Sequence, residues 1–254
     1  MEHRKEQRGM INLTENKSTL YEGYFDSIYA RSNALSTEEY ENSAREFDVY
    51  FGRLMPEEQD APILEIGCGT GHFLYYLKKR GYTHFLGIDI SASQVEFCRE
   101  GITPNVQHAD VFEFLAGRKG SYTVISSSDV IEHIPKEKVI SLLTLVHEAL
   151  TPGGILLLKL PNMSNPFSLD SRYRDFTHEC GFTEESIYQV LYTAGFRSIR
   201  ICSSHVFTRT LKSFVNRIFT ALFHALLRKL FWHQGMTAPK ILSCRLIVSA
   251  KKEE

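Results

Sequence analysis

An α/β fold, with a parallel sheet covered by helices on both faces, is predicted by three observations. From residue 61 onward, short apolar runs alternate with stretches of helical periodicity, the pattern required by parallel strands joined through crossover helices. A glycine-rich turn, within ILEIGCGTGHF over 63–73, follows the first of these runs directly. Asp89 and Asp110 close the second and third runs, and ligands on such sheets gather at the carboxyl ends of the strands.

In chain order, 1–60 reads as an N-terminal helical lid or extension and 61–254 as the main domain. Within the first, STEEYENSAREFDVYFGRLM places Tyr40, Ala44, Phe47, Tyr50 and Phe51 at helical spacing, with Ser36 or Thr37 as cap. The segment ahead of that helix is expected to be a mobile lid. PILEI, HFLGID, NVQHAD, TVISSS and GILLLKL read as strands, and HFLYYLKKR, SQVEFCRE and KEKVISLLTLVHEAL as the helices between them. A polar loop over 161–182 is long enough to cover a substrate rather than merely connect. TEESIYQVLYTAG is a helix capped by Thr183 and ended at Gly195. FRSIRICSS and ILSCRLIVSAKK are two further strands, separated by a basic amphipathic helical insertion over 205–236.

With 254 residues, 43% of them hydrophobic, the chain can bury one large core. No uncharged apolar run is long enough for a membrane span, the N-terminus lacks a leader-like apolar stretch, and the five cysteines are scattered without a C-x-x-C pair. A cytoplasmic protein with neither a disulfide framework nor a bound metal is expected. The net charge of −1 hides a division: 18 basic against 28 acidic residues up to Ser186, then 11 against 2. This fits either a basic tail folded on an acidic body or attraction to an anionic substrate or lipid surface.

The glycine loop narrows the ligand. Its spacing is G-x-G-x-G, with His72 where a dinucleotide fingerprint would have its third glycine, and no Gly-Lys-Ser/Thr follows. Bare backbone beside Glu65, with no lysine, suits a cationic ligand better than a pyrophosphate, which disfavours a nicotinamide-dependent oxidoreductase. Asp89 lies where a carboxylate can accept both ribose hydroxyls, and Asp110 where it can accept from an adenine amino group. Either acid can equally be a cap for the next helix.

ILEIGCGTGHF, GIDIS, HADVFEF, SSSDVIEHIP and LTPGGILLLKLPN together resemble the ordered motifs of class I S-adenosylmethionine-dependent methyltransferases, over about 45–202. The resemblance implies a Rossmann-like sheet of seven strands, mostly parallel with the last antiparallel, and S-adenosylmethionine as cofactor. It implies that Gly67, Cys68, Gly69 and Gly71 line the methionine and ribose parts, that Asp89 binds the ribose, and that Asp110 and Val111 border the adenine. Glu65, Ile90 and Ser128 complete the expected cofactor set.

A hydroxyl acceptor must lose a proton to a base, whereas a neutral amine need not. His133, beyond the fourth strand beside Asp129 and Glu132, is one candidate; a helix cap or pocket wall is its other reading. In RYRDFTHECGFT, His178 with Asp175 three residues earlier is the second, with Arg172 and Arg174 as phosphate contacts; here the alternative is a loop held by its own backbone hydrogen bonds. This loop resembles that of bacterial methyltransferases acting on sugars or on polysaccharide and glycolipid precursors. The expected function is therefore O-methylation of a sugar or glycan precursor, against a ubiquinone-type phenol O-methyltransferase or a non-catalytic module of the same fold. The N/D-P-P-Y/F/W signature of nucleic-acid amino methylation is missing, so no nucleic-acid partner is expected. The apolar and basic faces of 209–232 fit peripheral contact with the inner face of a membrane, a homodimer contact, or packing on the chain's own body.

Overall fold

The structure, a computed structural model, describes residues 20–21, 35–204 and 211–253. Most of the expected lid, and residues 205–210 of the insertion, lie outside the described residues. In order, the elements are α1 (Thr37–Phe51), β1 (Ile63–Ile66), α2 (His72–Lys79), β2 (Phe85–Asp89), α3 (Ala92–Gly101), β3 (Val106–His108) and α4 (Val111–Leu115). They continue with β4 (Tyr122–Ser128), α5 (Val139–Ala149), β5 (Leu150–Pro161), α6 (Ser168–Arg174), α7 (Glu184–Thr193), β6 (Arg197–Ser203), α8 (Leu211–His233) and β7 (Arg245–Lys251).

Seven strands form one sheet in the order β3-β2-β1-β4-β5-β7-β6. The first five run parallel, and β7 inserts antiparallel between β5 and β6. The strand order reverses between β1 and β4, and a ligand crevice forms beyond the carboxyl ends of the strands at such a switch. Successive side chains of a strand face opposite ways: Leu64, Ile125 and Leu158 join the core under α5 and α7, whereas Ile63, Val124 and Leu157 join the core under α1 and α2.

Helix α1 begins where the Ser36 hydroxyl accepts the Glu39 N–H, with Glu38 and Glu39 in its first turn. Its buried face, Tyr40, Ala44, Phe47 and Phe51, lies on α2, with Phe47 edge-on to Phe73 at 5.0 Å between ring centres. Helix α1 therefore shares a core layer with α2. Phe73 is fully buried. Phe73→Ala is expected to lower stability by about 3–5 kcal/mol in urea unfolding; a loss below about 1 kcal/mol would show that this layer is not formed.

Two expectations change. The last strand starts at Arg245 rather than Ile241, because the Ile241 and Ser243 carbonyls accept from the Asn162 amide at 3.0 and 2.8 Å, and the Leu242 carbonyl accepts from Asn165. These bonds pin the covering loop, which itself contains α6. The insertion does not pack its apolar face on the body: Leu211, Phe214, Ile218, Phe219, Leu222, Leu226 and Trp232 are exposed, and Phe223, stacked on Phe167, provides one of its contacts to the domain. No helix among the described residues is long and apolar enough to cross a membrane.

Candidate active site

An open cleft of about 890 Å³ lies at the carboxyl ends of the strands, roofed in part by Tyr21 and α6. Burial, with Asp175 and Asp89 nearby, pushes the Tyr21 phenol up to about 12.

At one end the chain leaves β1 through the glycine loop. Gly67 has φ 68°, and a Cβ there would meet Val130 Cγ2 at 2.2 Å, so only glycine keeps this wall bare. The N–H groups of Gly67 and Cys68 both donate to the Ile88 carbonyl, at 2.8 and 3.0 Å, which ties the loop to β2. Asp89 ends β2, where its carboxylate accepts the Gly69 N–H on Oδ2 and the Ser91 N–H on Oδ1, both at 2.8 Å. A carboxylate offers about four acceptor sites, so each oxygen retains capacity for a diol. Burial raises the Asp89 pKa, against those backbone donors.

One of the loop residues lies elsewhere than expected, and another lines the cleft while its side chain packs in the core. Gly71 is absent from the cleft wall; its φ of 87° starts α2, and a Cβ would strike Cys98 Sγ at 2.4 Å. The Cys68 side chain packs in the core under α1 and α2, and burial, with Asp89 beside it, pushes its thiol well up, so only its backbone is available to a ligand.

Glu65 lines the cleft at 3% exposure, and its Oε2 has no hydrogen-bond partner among the described residues. Burial, then Asp89, raises its pKa well above the ordinary value, against the pull of Lys159. Ser128, ending β4, also presents a buried hydroxyl without a partner. Asp110 is a helix cap: Oδ1 accepts the Phe112 and Glu113 N–H groups at 2.8 and 3.2 Å, and the residue lines the cleft. Ile90 and Val111 flank these acids on the cleft wall.

At the other end, Asp129 sits in the left-handed region, φ 55°, between β4 and a short 3₁₀ turn over Ile131–His133. Arg245 donates to its Oδ1, and Lys159 lies 3.9 Å from Oδ2. Burial would raise its pKa, but Arg245 and Lys159 outweigh burial and hold it below the usual range. Glu132 is 3% exposed, neither carboxyl oxygen has a partner, and burial, with Asp129 next, lifts it to about 8.

His133 Nδ1 lies 2.7 Å from Thr177 Oγ1, which donates to Asp175 Oδ1 at 2.6 Å. A hydroxyl has one proton, so with that proton on the Asp175 side, Nδ1–H donates to Thr177 and the lone pair of His133 is on Nε2. Burial, then His178, lowers His133 to about 4 and keeps it neutral. The His178 ring stands edge-on to His133, 4.5 Å between centres.

The expected pairing of Asp175 with His178 is thus replaced by a chain from Asp175 through Thr177 to His133. The reason is local: the Thr177 N–H and hydroxyl both reach Asp175 Oδ1, at 2.9 and 2.6 Å. The Arg172 guanidinium donates to the His178 and Glu179 carbonyls at 2.6 and 3.0 Å and braces the loop. Arg174, paired with Asp170, stands at the cleft mouth. Sequence reasoning missed Thr177, Lys159 and Arg245. Each cation is a lone charge in an otherwise apolar strand, GILLLKL and RLIVSA, and that was the available signal.

The family model described as "Methyltransferase domain" matches residues 40–201. The chain is 25% identical over 195 residues to a tRNA N(3)-methylcytidine methyltransferase of Schizosaccharomyces pombe, covering 68% of this chain and 78% of that one. A methyltransferase structure from Archaeoglobus fulgidus superposes with a TM-score of 0.62 at 23% identity, over 92% of this chain and 99% of that one. Phosphoethanolamine N-methyltransferase 2 of Haemonchus contortus, solved with S-adenosylmethionine, superposes with a TM-score of 0.59 at 16% identity, over 96% of this chain but 59% of its own length.

Proposed function

This chain belongs to the methyltransferase-domain family and draws its methyl group from S-adenosylmethionine, and we propose that it delivers that group to a hydroxyl oxygen of a sugar or glycan precursor. The residues fit the cofactor. Gly67, Cys68 and Gly69 leave bare backbone for the methionine portion, Asp89 has acceptor capacity for two ribose hydroxyls, and Asp110 with Ile90 and Val111 borders the adenine. The unpartnered Glu65 carboxyl and Ser128 hydroxyl suit a ligand bearing an ammonium and a sulfonium. When bound, the sulfonium supplies a methyl carbon open to displacement.

Glu65 carries a pH signature. Its pKa is raised in the ligand-free protein, and a cation beside it favours the ionised form, so binding releases a proton. Cofactor affinity is expected to rise with pH above the ordinary carboxylate value of 4.5, and Glu65→Gln to flatten that slope. Calorimetry in buffers of different ionisation enthalpy measures both, and a wild-type slope of zero counts against the placement.

One observation carries the oxygen assignment: the Asp175–Thr177–His133 chain lies in the same cleft as the glycine loop. An oxygen acceptor needs a group to take its proton, and the chain holds Nε2 of His133 as that acceptor atom. The test is transfer of labelled methyl from S-adenosylmethionine into nucleotide sugars and lipid-linked glycans. Label found on nitrogen, or on a phenol and never on a sugar hydroxyl, would replace this assignment.

The exposed apolar face of α8, with Arg217, Arg228 and Lys229 on the same helix, supports a lipid-linked acceptor met at an anionic membrane surface on the cytoplasmic side. Wild-type protein is expected to float with anionic vesicles and a Phe214→Asp, Phe219→Asp variant to remain behind. Equal flotation of the two would remove α8 from membrane contact.

A further inference from the structure

We propose that Glu132, His133 and His178 form a site for one first-row divalent cation at the acceptor end of the cleft. One ligand atom from each residue lies within 4.8 Å of the others. Ligands about 2.0–2.2 Å from such a cation stand roughly 3.0–3.5 Å apart, so a modest turn of the His178 side chain on the covering loop closes the set. Two imidazoles and a carboxylate suit zinc, manganese, iron or cobalt, whereas magnesium and calcium favour oxygen.

Two further observations point to a ligand. Glu132 is 97% buried, being 3% exposed, yet both of its carboxyl oxygens lack partners among the described residues; the protein gains nothing from burying that group alone. Asp129, three residues earlier, is already held by Arg245 and Lys159, so it leaves Glu132 as the carboxylate for the site. His133 also has the outer support typical of a metal-bound imidazole: Nδ1 is held by Thr177, which Asp175 holds in turn, leaving Nε2 as the ring atom to take the cation.

The role of the site rests on the hydroxyl-acceptor assignment and deepens it. A hydroxyl oxygen coordinated in an open position loses its proton to solvent more readily. That oxygen then forms a bond to the methyl carbon while the carbon–sulfur bond breaks, its electron pair remaining on sulfur. In the loaded protein His133 is a ligand, and in the cation-free protein its Nε2 takes the proton.

The test uses chelator-treated full-length protein titrated with cobalt(II), followed by its visible ligand-field absorption and by displacement with zinc. One equivalent is expected, with binding lost in His178→Ala and at least tenfold weaker in Glu132→Gln, while His147→Ala, a histidine outside the cleft, binds like wild type. Circular dichroism and S-adenosylhomocysteine binding identify any variant that fails to fold. Absence of stoichiometric cobalt, or binding undiminished in both cleft variants, overturns the site. Cobalt binding does not depend on methyl transfer, so failure of the oxygen assignment would leave the absorption band intact. Transfer to a sugar hydroxyl that persists in chelator without cobalt binding would preserve that assignment and eliminate the cation.

Discussion

Asp89→Ala is expected to weaken binding of S-adenosylmethionine and of its demethylated product by at least about a hundredfold. Two losses combine. The carboxylate has acceptor capacity for a pair of ribose hydroxyls, and hydrogen bonds to a charged group contribute about 1.5–3 kcal/mol each; losing two weakens affinity by about two to four powers of ten. The same carboxylate orients the Gly69 and Ser91 N–H groups, so the substitution also leaves two donors unpaired and removes one tie of the glycine loop to β2, the Ile88 carbonyl still holding Gly67 and Cys68. Asp89→Asn separates the contributions, because the amide oxygen can keep one backbone donor while its NH₂ group cannot accept the other. Calorimetry with the folded variants reads the order wild type, Asn, Ala. An Asp89→Ala dissociation constant within threefold of wild type would mean that the ribose lies elsewhere.

His133→Ala is expected to slow methyl transfer by about a hundredfold to ten-thousandfold, the usual worth of a positioned proton-transfer group, while cofactor affinity stays within a factor of two or three. The split follows from placement: His133 lies on the 3₁₀ turn after β4 and bonds to the covering loop through Thr177, whereas most of the proposed cofactor contacts belong to β1, β2 and the turn before α4, with Ser128 at the end of β4. Thr177→Val tests the chain behind it. Valine is close in shape but has no hydroxyl, so the link from Nδ1 through Thr177 to Asp175 is cut; a smaller loss in turnover, about tenfold, is expected with the cofactor again bound normally. A His133→Ala enzyme with wild-type turnover would show that the acceptor proton leaves by another route.

The position of the glycine loop and of the acid after it was largely legible. Gly67, Gly69 and Asp89 lie within a 23-residue stretch, 67–89, and their roles depend on short-range constraints: a positive φ, a bare wall, an acid at a strand end. Asp110 was legible only as a pair of readings. The structure shows the cap, with one oxygen left over. Gly71 misled because a motif reports that the backbone must turn there but does not say which of its residues reach the cleft. The amphipathic period of α8 was also plain, yet periodicity alone does not say what covers an apolar face, and in the folded chain most of it is left exposed.

What the amino-acid order by itself determined is the alternation that makes a parallel sheet, the glycine turn after its first strand, and the acids closing the next two. These depend on a period, a cap or a turn, and each is specified by residues a few positions apart. Tertiary structure alone decided which side chains share the acceptor end. Thr177 meets His133 across 44 positions and Arg245 meets Asp129 across 116. Those hydrogen bonds form only when sheet order and loop path bring the groups within about 3 Å, a condition that no local spacing encodes.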